Sequence, residues 1–170
     1  MKKLILLGFA VILFTSCQNN GPQRYTSTSP EIDVTKALVK DYESGNWENW
    51  KTHYADTAKI FHNTLEGVSS KELQESLKNT LQYMSSYRFN EKEMFIEMII
   101  DDKGDKWVYF WGIWEGQVAD TNKEIAMPVH IAFQFADSKI AREYAYYDPS
   151  SISAAIIEIE AAKLEEVVEE

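Results

Sequence analysis

The stretch VHIAFQFADSKIAREYAYYD, residues 129–148, decides the fold. Apolar residues alternate with small or polar ones as far as Ala136, and aromatic residues become frequent after Ser138. Alternation with a period of two is typical of a half-buried strand. The stretch therefore predicts two long strands joined by a two-residue turn at Asp137-Ser138, and the rest of the chain either packs on this hairpin or extends its sheet.

The pairing across this hairpin predicts which side chains share a face. The predicted pairs are Phe135 with Ile140, Phe133 with Arg142, Ile131 with Tyr144, and Val129 with Tyr146. These residues form the predicted buried face, with Arg142 as a polar exception and Asp148 at its end. The opposite face is small and half polar, as a convex or partner-covered surface would be: His130, Ala132, Gln134, Ala141, Glu143, Ala145 and Tyr147. A longer loop would change the pairing, because a slip of one residue reverses the faces.

Composition limits the classes of protein to which the chain can belong. Its 170 residues are 45% hydrophobic and 13% aromatic, which fits one folded domain with a core of its own plus extensions. The formal net charge is −10. Because an acidic protein repels phosphate backbones, we expect no nucleic acid partner.

The composition of the first residues predicts an export signal. Residues 1–16 combine two lysines with an apolar run that is too short to span a bilayer, which takes about 20 residues. Phe14-Thr15-Ser16-Cys17 resembles the lipobox of bacterial lipoproteins, which implies cleavage before Cys17 and lipidation of its thiol. The alternative is an ordinary signal with a chance cysteine. We expect a lipid-anchored protein of the cell envelope, held at the outer membrane and facing the periplasm, with residues 17–30 as a flexible tether.

The remaining chain predicts helices followed by strands. Residues 31–162 form the predicted domain, and residues 163–170 form a frayed acidic tail. A helix that starts near Pro30 and ends at Gly45 is indicated by its caps and its apolar stripe. The other predicted elements are a short tryptophan helix after Asn46, a strand over 58–62, a helix over 71–87, strands from Lys92 to Ile100 and over 106–118, and a C-terminal helix after Pro149.

This order of elements is an α+β pattern, and two motifs in it resemble a known family. GNWENWKTHYADTAKIF (residues 45–61) and FADSKI (135–140) resemble segments of SnoaL-like proteins, in the nuclear-transport-factor-2-like superfamily, over residues 34–157. The resemblance implies a cone-shaped, curved antiparallel sheet with helices packed on its concave face, enclosing a pocket. The superfamily includes isomerases, cyclases, dehydratases and many non-catalytic binders, so the resemblance specifies the fold better than the chemistry.

Within such a pocket the sequence predicts a set of ligand contacts. The predicted lining is Tyr54, Trp111, Trp114, Ile131, Phe133, Tyr144, Tyr146 and Asp148. A one-residue change in the loop over 119–123 would exchange Trp111 and Trp114 between the pocket and the outer face. The resemblance supports two of these residues, because Tyr144 falls where a pocket aromatic often lies and Asp148 matches a frequent closing aspartate.

Candidate acid–base residues are few. If the protein is an enzyme, Asp148 is the predicted general base, with Tyr144 and His62 as neighbours. The alternative, which we favour, is that Asp148 caps the last helix. His130 and His53 are expected on the surface.

The expected function is therefore a membrane-anchored, non-catalytic pocket domain that binds a small apolar or amphipathic molecule or a protein partner. The alternative is a cofactor-free isomerase, cyclase or dehydratase that uses Asp148. We expect no cofactor, and no metal site because three scattered histidines lack ligand spacing. A homodimer through the outer sheet face is a possible partner arrangement.

Overall fold

The computed structural model describes residues 23–169, with side chains as far as Glu165. Its order of elements confirms the α+β class, with a curved, open sheet and helices. The helices are α1 (Pro30–Glu43), α2 (Trp47–Trp50), α3 (Ser70–Leu81) and α4 (Ser150–Glu169), and single 3-10 turns cover Lys51–His53 and Glu91–Glu93. The strands are β1 (Tyr25–Thr26), β2 (Tyr54–His62), β3 (Met84–Phe89), β4 (Phe95–Ile100), β5 (Lys106–Val118), β6 (Glu124–Ala136) and β7 (Lys139–Tyr147).

The seven strands form one sheet in the order β1-β4-β5-β6-β7-β2, and β3 pairs with the second half of β5. All pairs are antiparallel except β2 with β7, which is parallel. This parallel pair departs from the expected antiparallel sheet. This pairing matters for the site, because it brings β2 next to β7, the second strand of the hairpin over residues 129–148.

The helix ends follow local capping chemistry. The Ser29 side chain accepts a hydrogen bond from the Ile32 amide at the start of α1, and Gly45, with φ of +66°, lies just beyond its end. Ser69 and Glu72 form a reciprocal capping box at the start of α3. Each contact involves residues only a few positions apart in the chain, and the start at Ser29-Pro30 and the end at Gly45 are the predicted ones.

The predicted helix over 71–87 is too long. α3 ends at Leu81, and Met84 begins β3, which pairs with β5. Ser85, Ser86 and Tyr87 are weak helix formers, and β5 is long enough to pair with β4 along its first half and β3 along its second. Tertiary pairing therefore overrides the helical spacing of the apolar residues.

Regular structure is present in parts of the ranges predicted as tether and as tail. Tyr25 and Thr26, inside the tether range, pair with β4 at the sheet edge, and the Arg24 guanidinium donates to the Ile100 carbonyl. α4 continues to Glu169, beyond the expected fraying at Ala162. The predicted signal segment 1–16 and Cys17 lie outside the described residues.

The hairpin turn is the predicted one. Asp137 and Ser138 both have positive φ, of 46° and 64°, and Phe135 pairs with Ile140. The next pairs differ from the prediction, because Ala141 is an extra residue and Gln134 pairs with Arg142. From this β-bulge onward Phe133 faces Glu143 instead of Arg142. Every later side chain of β7 therefore lies on the face opposite to the predicted one.

The two faces of the sheet have different roles. The inner face is the core, where Val108, Phe110 and Phe133 are almost fully buried against the helices. The outer face carries a set of aromatic side chains that we call the aromatic face: Phe61, Phe95, Trp107, Tyr109, Trp111, His130, Tyr144 and Tyr146. Within residues 23–169, none of the helices combines the length and the apolar character needed to cross a membrane.

Candidate functional site

A cavity of about 440 Å³ lies between the inner sheet face and the helices. Its size is in the range of small-molecule sites. Its wall is mainly apolar, and its aromatic members come from α1, α2 and five strands: Tyr42, Trp50, Tyr54, Phe89, Trp114, Phe133 and Tyr147. Ile152, Ser153 and Ile156 of α4 add a further wall.

A chain of four hydrogen-bonded side chains lies in this apolar wall. Tyr54 donates its hydroxyl to Glu143 Oε2 over 2.6 Å, and His62 Nε2 lies 2.8 Å from Glu143 Oε1. His62 Nδ1 lies 3.2 Å from the Tyr147 hydroxyl. Glu143 is only 3% exposed, so its oxygens depend on these partners rather than on water for their hydrogen bonds. The parallel pairing of β2 and β7 holds these four side chains next to one another.

For a neutral imidazole, the geometry fits one arrangement of protons on His62. A carboxylate oxygen accepts hydrogen bonds, so Nε2 carries the hydrogen toward Glu143. Nδ1 then carries the lone pair and accepts the hydroxyl hydrogen of Tyr147. This is a basic imidazole nitrogen inside an apolar cavity, with a buried carboxylate behind the ring. Such a histidine–carboxylate pair is suited to taking up and returning a proton.

Tyr54 and Tyr147 stay protonated near neutral pH. Burial raises the pKa of Tyr54 well above its usual value, and the Glu143 carboxylate raises it further. Burial also raises the pKa of Tyr147, again with a contribution from Glu143. Both phenols therefore act as hydrogen-bond donors in the folded protein.

The structure places some predicted pocket residues in the cavity wall and others outside it. Tyr54, Trp114, Ile131, Phe133 and the candidate His62 line the cavity. Whether they bind a ligand stays a prediction. Trp111 lies on the outer face, which resolves the alternative between the two tryptophans in favour of Trp114.

Tyr144 and Tyr146 were assigned to the wrong face. Tyr144 stacks on Phe61 of the aromatic face at 4.8 Å between ring centroids, and Tyr146 is 57% exposed. The bulge at Ala141 is the reason, since it reverses the faces of all later residues in β7. Glu143 and Tyr147, which the prediction put outside, take the inner positions.

Asp148 is not a cavity residue. It is exposed beyond the end of β7, and its Oδ1 accepts a hydrogen bond from the Ser150 amide at the start of α4. The Ser150 backbone and hydroxyl lower the pKa of Asp148. These contacts favour the capping interpretation and leave the predicted catalytic role of Asp148 without support.

The other two histidines have structural surroundings. His130 lies on the aromatic face, where Nδ1 is 3.1 Å from the Phe110 carbonyl oxygen. His53, expected on the surface, is mostly buried and lies 2.7 Å from the Asp41 carboxylate. In the part of the chain that the structure describes, no three His, Cys, Asp or Glu side chains are grouped as a metal site would require.

Glu143 and Tyr147 are the site residues that the sequence prediction missed. The one available signal was Arg142, a charged residue on a predicted apolar face. A shift that moves Arg142 to the outer face moves Glu143 inward, so counting polar residues does not decide between the registers. The deciding contacts, from Tyr54 and His62, come from residues 89 and 81 positions away.

Comparison with known proteins relates the chain to others by structure. No protein-family model matches it, and no curated protein matches its sequence. A proposed polyketide cyclase from Xanthomonas campestris pv. campestris is 13% identical, with 76% of this chain and 99% of that chain covered at a TM-score of 0.60. IdmH, a proposed polyketide cyclase from Streptomyces antibioticus, gives the same values. PrhC from Penicillium brasilianum is 11% identical, with 81% and 93% covered at a TM-score of 0.64.

The similarity to such proteins lies in the arrangement of the backbone, since their sequence identity to this chain is low. A further neighbour is a protein with a ketosteroid-isomerase-like fold from Catenulispora acidiphila, 14% identical at a TM-score of 0.57, with 75% of this chain and 93% of that chain covered. The chain thus has the fold of SnoaL-like polyketide cyclases and ketosteroid-isomerase-like proteins.

Proposed function

We propose that the protein is a cofactor-free acid–base enzyme of the isomerase or cyclase kind, acting on a small, mainly apolar molecule. The observation that carries this proposal is the hydrogen bond between His62 Nε2 and Glu143 in the wall of an apolar cavity. A purely apolar carrier has no need for a buried carboxylate, whose desolvation costs free energy. The cyclases among the structural neighbours support the same class of chemistry.

In the proposed reaction His62 moves one proton. When the Tyr147 hydroxyl releases its hydrogen bond to Nδ1, Nδ1 accepts a proton from a carbon next to a carbonyl group, and the electron pair of that C–H bond forms the double bond of an enolate. Returning the proton to another carbon gives an isomer. In the other route the enolate carbon attacks a second carbonyl carbon, a ring closes, and the alkoxide oxygen that forms takes the proton back from Nδ1. Either outcome needs no redox partner.

The neighbours of His62 have separate roles in this scheme. Glu143 holds the hydrogen of Nε2 and stabilises the imidazolium that forms. Tyr54 occupies the second oxygen of Glu143 and so fixes the carboxylate. The Tyr147 hydroxyl lies 3.2 Å from Nδ1, on the side of the ring where the substrate proton would be taken up.

The proposal is tested by hydrogen exchange in a model ketone. In D₂O the protein should accelerate deuterium uptake next to the carbonyl of 2-tetralone, followed by proton NMR. His62→Gln should lower this acceleration by roughly a hundredfold, the lower range for loss of a general base. His130→Gln, the same substitution on the outer face, is the matched control and should keep the wild-type rate. Equal rates for wild type and His62→Gln would contradict the proposal.

The same experiment separates catalysis from binding alone. A pocket protein that only binds would take up 2-tetralone in equilibrium dialysis and leave its exchange rate at the buffer value. The predicted non-catalytic role would then be the better description. Binding of 2-tetralone together with accelerated deuterium exchange supports the proposed enzyme activity.

The expected location and partners remain proposals. We propose that Cys17 anchors the protein to a membrane of the cell envelope, which the lipobox-like residues 14–17 support. Gln18, in place of an Asp after the cysteine, supports the outer membrane by analogy with bacterial lipoproteins. The pairing of β1 supports a short connection between Cys17 and the domain, because the chain already pairs with the sheet at Tyr25.

We also propose that two copies associate through the aromatic face. This face supports the idea because Phe95 is 54% and Trp111 38% exposed, although both are large apolar side chains. A symmetric dimer would bring the same face of both copies together.

A further inference from the structure

Exposed aromatic side chains are concentrated on one side of the protein. In the aromatic face, Phe95 is 54%, Trp111 38% and Tyr146 57% exposed. These side chains come from neighbouring strands and form one row together with His130. Single exposed apolar residues are common on protein surfaces, whereas a contiguous group of large ones indicates a binding surface.

Tyr25, where the chain enters the sheet, lies on the same side of it. Tyr25 pairs with Ile99, and Ile99 pairs with Trp107 of the aromatic face. Paired residues on neighbouring strands point to the same side, so the Tyr25 ring, 51% exposed, points to the side of the aromatic face. The N-terminal connection therefore leaves the domain at the margin of this face.

The chain between Cys17 and the sheet is short. Eight residue steps separate Cys17 from Tyr25. A fully extended chain spans only about 27 Å over this length, and a flexible one averages about 16 Å. A domain of this size has a diameter of roughly 35 Å. An anchor at Cys17 would therefore hold the domain against a bilayer, with the aromatic face within reach of the lipid surface.

The residue types on this side suit the boundary between lipid headgroups and acyl chains. Trp and Tyr concentrate at that boundary, because each combines an apolar ring with a polar edge. Arg142, exposed on the same side of the sheet, can pair with lipid phosphates. The turn after β4, in contrast, carries Asp101, Asp102 and Asp105, whose charges disfavour contact with a bilayer.

The charge of the protein restricts the kind of lipid. The formal net charge is −10, and Glu97 lies on the outer side of the sheet, beside Tyr109. Anionic headgroups would repel such a protein, so we expect a zwitterionic lipid surface. Contact between the aromatic rings and the upper acyl chains then supplies the attraction.

We propose that the aromatic face and Tyr25 lie on a zwitterionic bilayer when the protein is anchored at Cys17. This inference goes beyond the proposed enzyme and rests on the proposed anchor. A bilayer and a second copy would cover the same side chains, so one molecule uses only one of them at a time. The second copy covers the face in solution, and lipid covers it in the anchored protein. The cavity, on the other side of the sheet, then faces the aqueous phase.

Quenching of tryptophan emission by brominated lipid tests this contact. The chain from Cys17 onward contains every described helix and strand, and Cys17 is its only cysteine. Its thiol is coupled to a maleimide lipid in phosphatidylcholine vesicles, at a protein density so low that copies do not meet. Phosphatidylcholine brominated in the upper acyl chain should quench the wild type. Trp111→Phe should lose most of the quenched emission, because Trp111 is the most exposed of the five tryptophans.

Two further variants move the indole to another position. Phe95→Trp, added to Trp111→Phe, places an indole on the neighbouring strand of the same row and should restore the quenching. Leu65→Trp in the same background is the matched control, since Leu65 is 99% exposed in the loop between β2 and α3, outside the aromatic face. This variant should not restore the quenching. Melting temperatures of all variants show that each is folded.

Three results would overturn the inference: no quenching of the wild type, equal quenching of the wild type and Trp111→Phe, or restoration by Leu65→Trp as strong as by Phe95→Trp. If chemical cross-linking joins the coupled copies in pairs and Trp111 is not quenched, a second copy covers the face and the inference also fails.

Failure of the natural anchor gives a different result, because the coupling to maleimide lipid replaces it. If labelling of cells finds no lipid on Cys17 while the coupled chain is quenched through Trp111, the face binds lipid and the anchor is wrong. If the label is found and quenching is absent, the anchor stands and the lipid contact does not.

Discussion

Glu143 is the residue on which the candidate site depends. Its carboxylate is buried among apolar side chains, and each of its oxygens has one partner, Tyr54 or His62. Burying a carboxylate is costly unless its oxygens are hydrogen-bonded, so these partners are needed for stability as well as for chemistry. Removing one of them should therefore have a measurable effect on the free energy of unfolding.

Tyr54→Phe tests this dependence. The substitution leaves Glu143 Oε2 without its donor, and we expect a loss of about 1.5–3 kcal/mol in the free energy of unfolding, measured by urea denaturation. Tyr144→Phe is the matched control, since within the described residues no partner of the Tyr144 hydroxyl is found, and it should stay within about 0.5 kcal/mol. Equal losses in both variants would contradict the buried hydrogen bond.

Asp148 should contribute to stability through α4 and not to catalysis. Its pKa in the folded protein is below the ordinary value of 3.8, because the Ser150 amide and hydroxyl donate to the ionised carboxylate. The lowered value means that its contribution is fully present above pH 3.8 and is lost as the pH falls through the folded pKa. Asp148→Ala should thus lower the melting temperature at pH 6, and the difference from wild type should shrink toward pH 2.

The rate of deuterium exchange in 2-tetralone, measured in the Asp148 variants, tests whether Asp148 takes part in catalysis. Asp148→Ala and Asp148→Asn should both keep the wild-type rate. A hundredfold loss in Asp148→Asn at an unchanged melting temperature would restore Asp148 as a base. Asn also accepts hydrogen bonds at helix starts, so it should cost little stability.

At the level of elements, the bulge in β7 determines what the hairpin presents to the cavity. One extra residue, Ala141, separates two regularly paired segments. Ala145, fully buried, then occupies an inner position and leaves room for a cavity that a tyrosine there would fill. The bulge thus exchanges two large aromatic side chains for a carboxylate, a small residue and Tyr147.

The regular half of the hairpin makes a separate prediction about stability. Phe133 is 1% exposed, whereas its neighbour Gln134 lies on the outer face and donates to Asp105 over 2.9 Å. Phe133→Ala should cost about 3–5 kcal/mol, because it opens a cavity in the core. Gln134→Ala should cost about 1 kcal/mol or less, the value of one hydrogen bond. Similar large losses in both, at constant oligomeric state, would mean that the register of β6 is wrong.

At the level of the whole molecule, the aromatic face is the largest feature that the cavity does not explain. Phe95, Trp111, His130 and Tyr146 are direct neighbours across four strands, with ring centroids 5.7, 4.7 and 6.5 Å apart. The row is continuous and open to solvent, as expected for the core of an interface between protein chains.

Trp111→Glu tests the proposed dimer. A charge at the centre of the row should weaken self-association at least tenfold, measured by sedimentation, because buried tryptophans dominate interface energies. Leu65→Glu is the control, since Leu65 is exposed in the loop between β2 and α3, outside the aromatic face. A monomeric wild type, or equal weakening in both variants, would contradict the dimer.

Cys17 carries the prediction about location. Labelling cells with a lipid precursor should mark the wild-type protein, and Cys17→Ala should remove the label and release the protein in soluble form. The physical reason is that acyl chains contribute about 0.8 kcal/mol per buried CH₂ group to membrane attachment. Equal labelling of both proteins would contradict a lipid anchor on Cys17.

Several features follow from the sequence alone, because they depend on residues close together in the chain. The cap of α1 at Ser29, the turn at Asp137-Ser138 and the alternation in β6 are all local patterns, and the structure has each of them. Together with the order of the elements they determine the α+β class. The period of two also separates the inner from the outer residues of β6 correctly as far as the turn.

Only the tertiary structure decided the site. The register of β7 depends on Ala141, and nothing local favours a bulge there, since the unbulged pairing would put the aromatic side chains of Tyr144 and Tyr146 on the inner face. The bulged register is stabilised instead by Tyr54 and His62, which reach Glu143 from a parallel strand more than 80 residues earlier in the sequence. A pattern of period two describes neighbours along one strand, whereas the position of Glu143 depends on contacts between strands, and those exist only once the chain has folded.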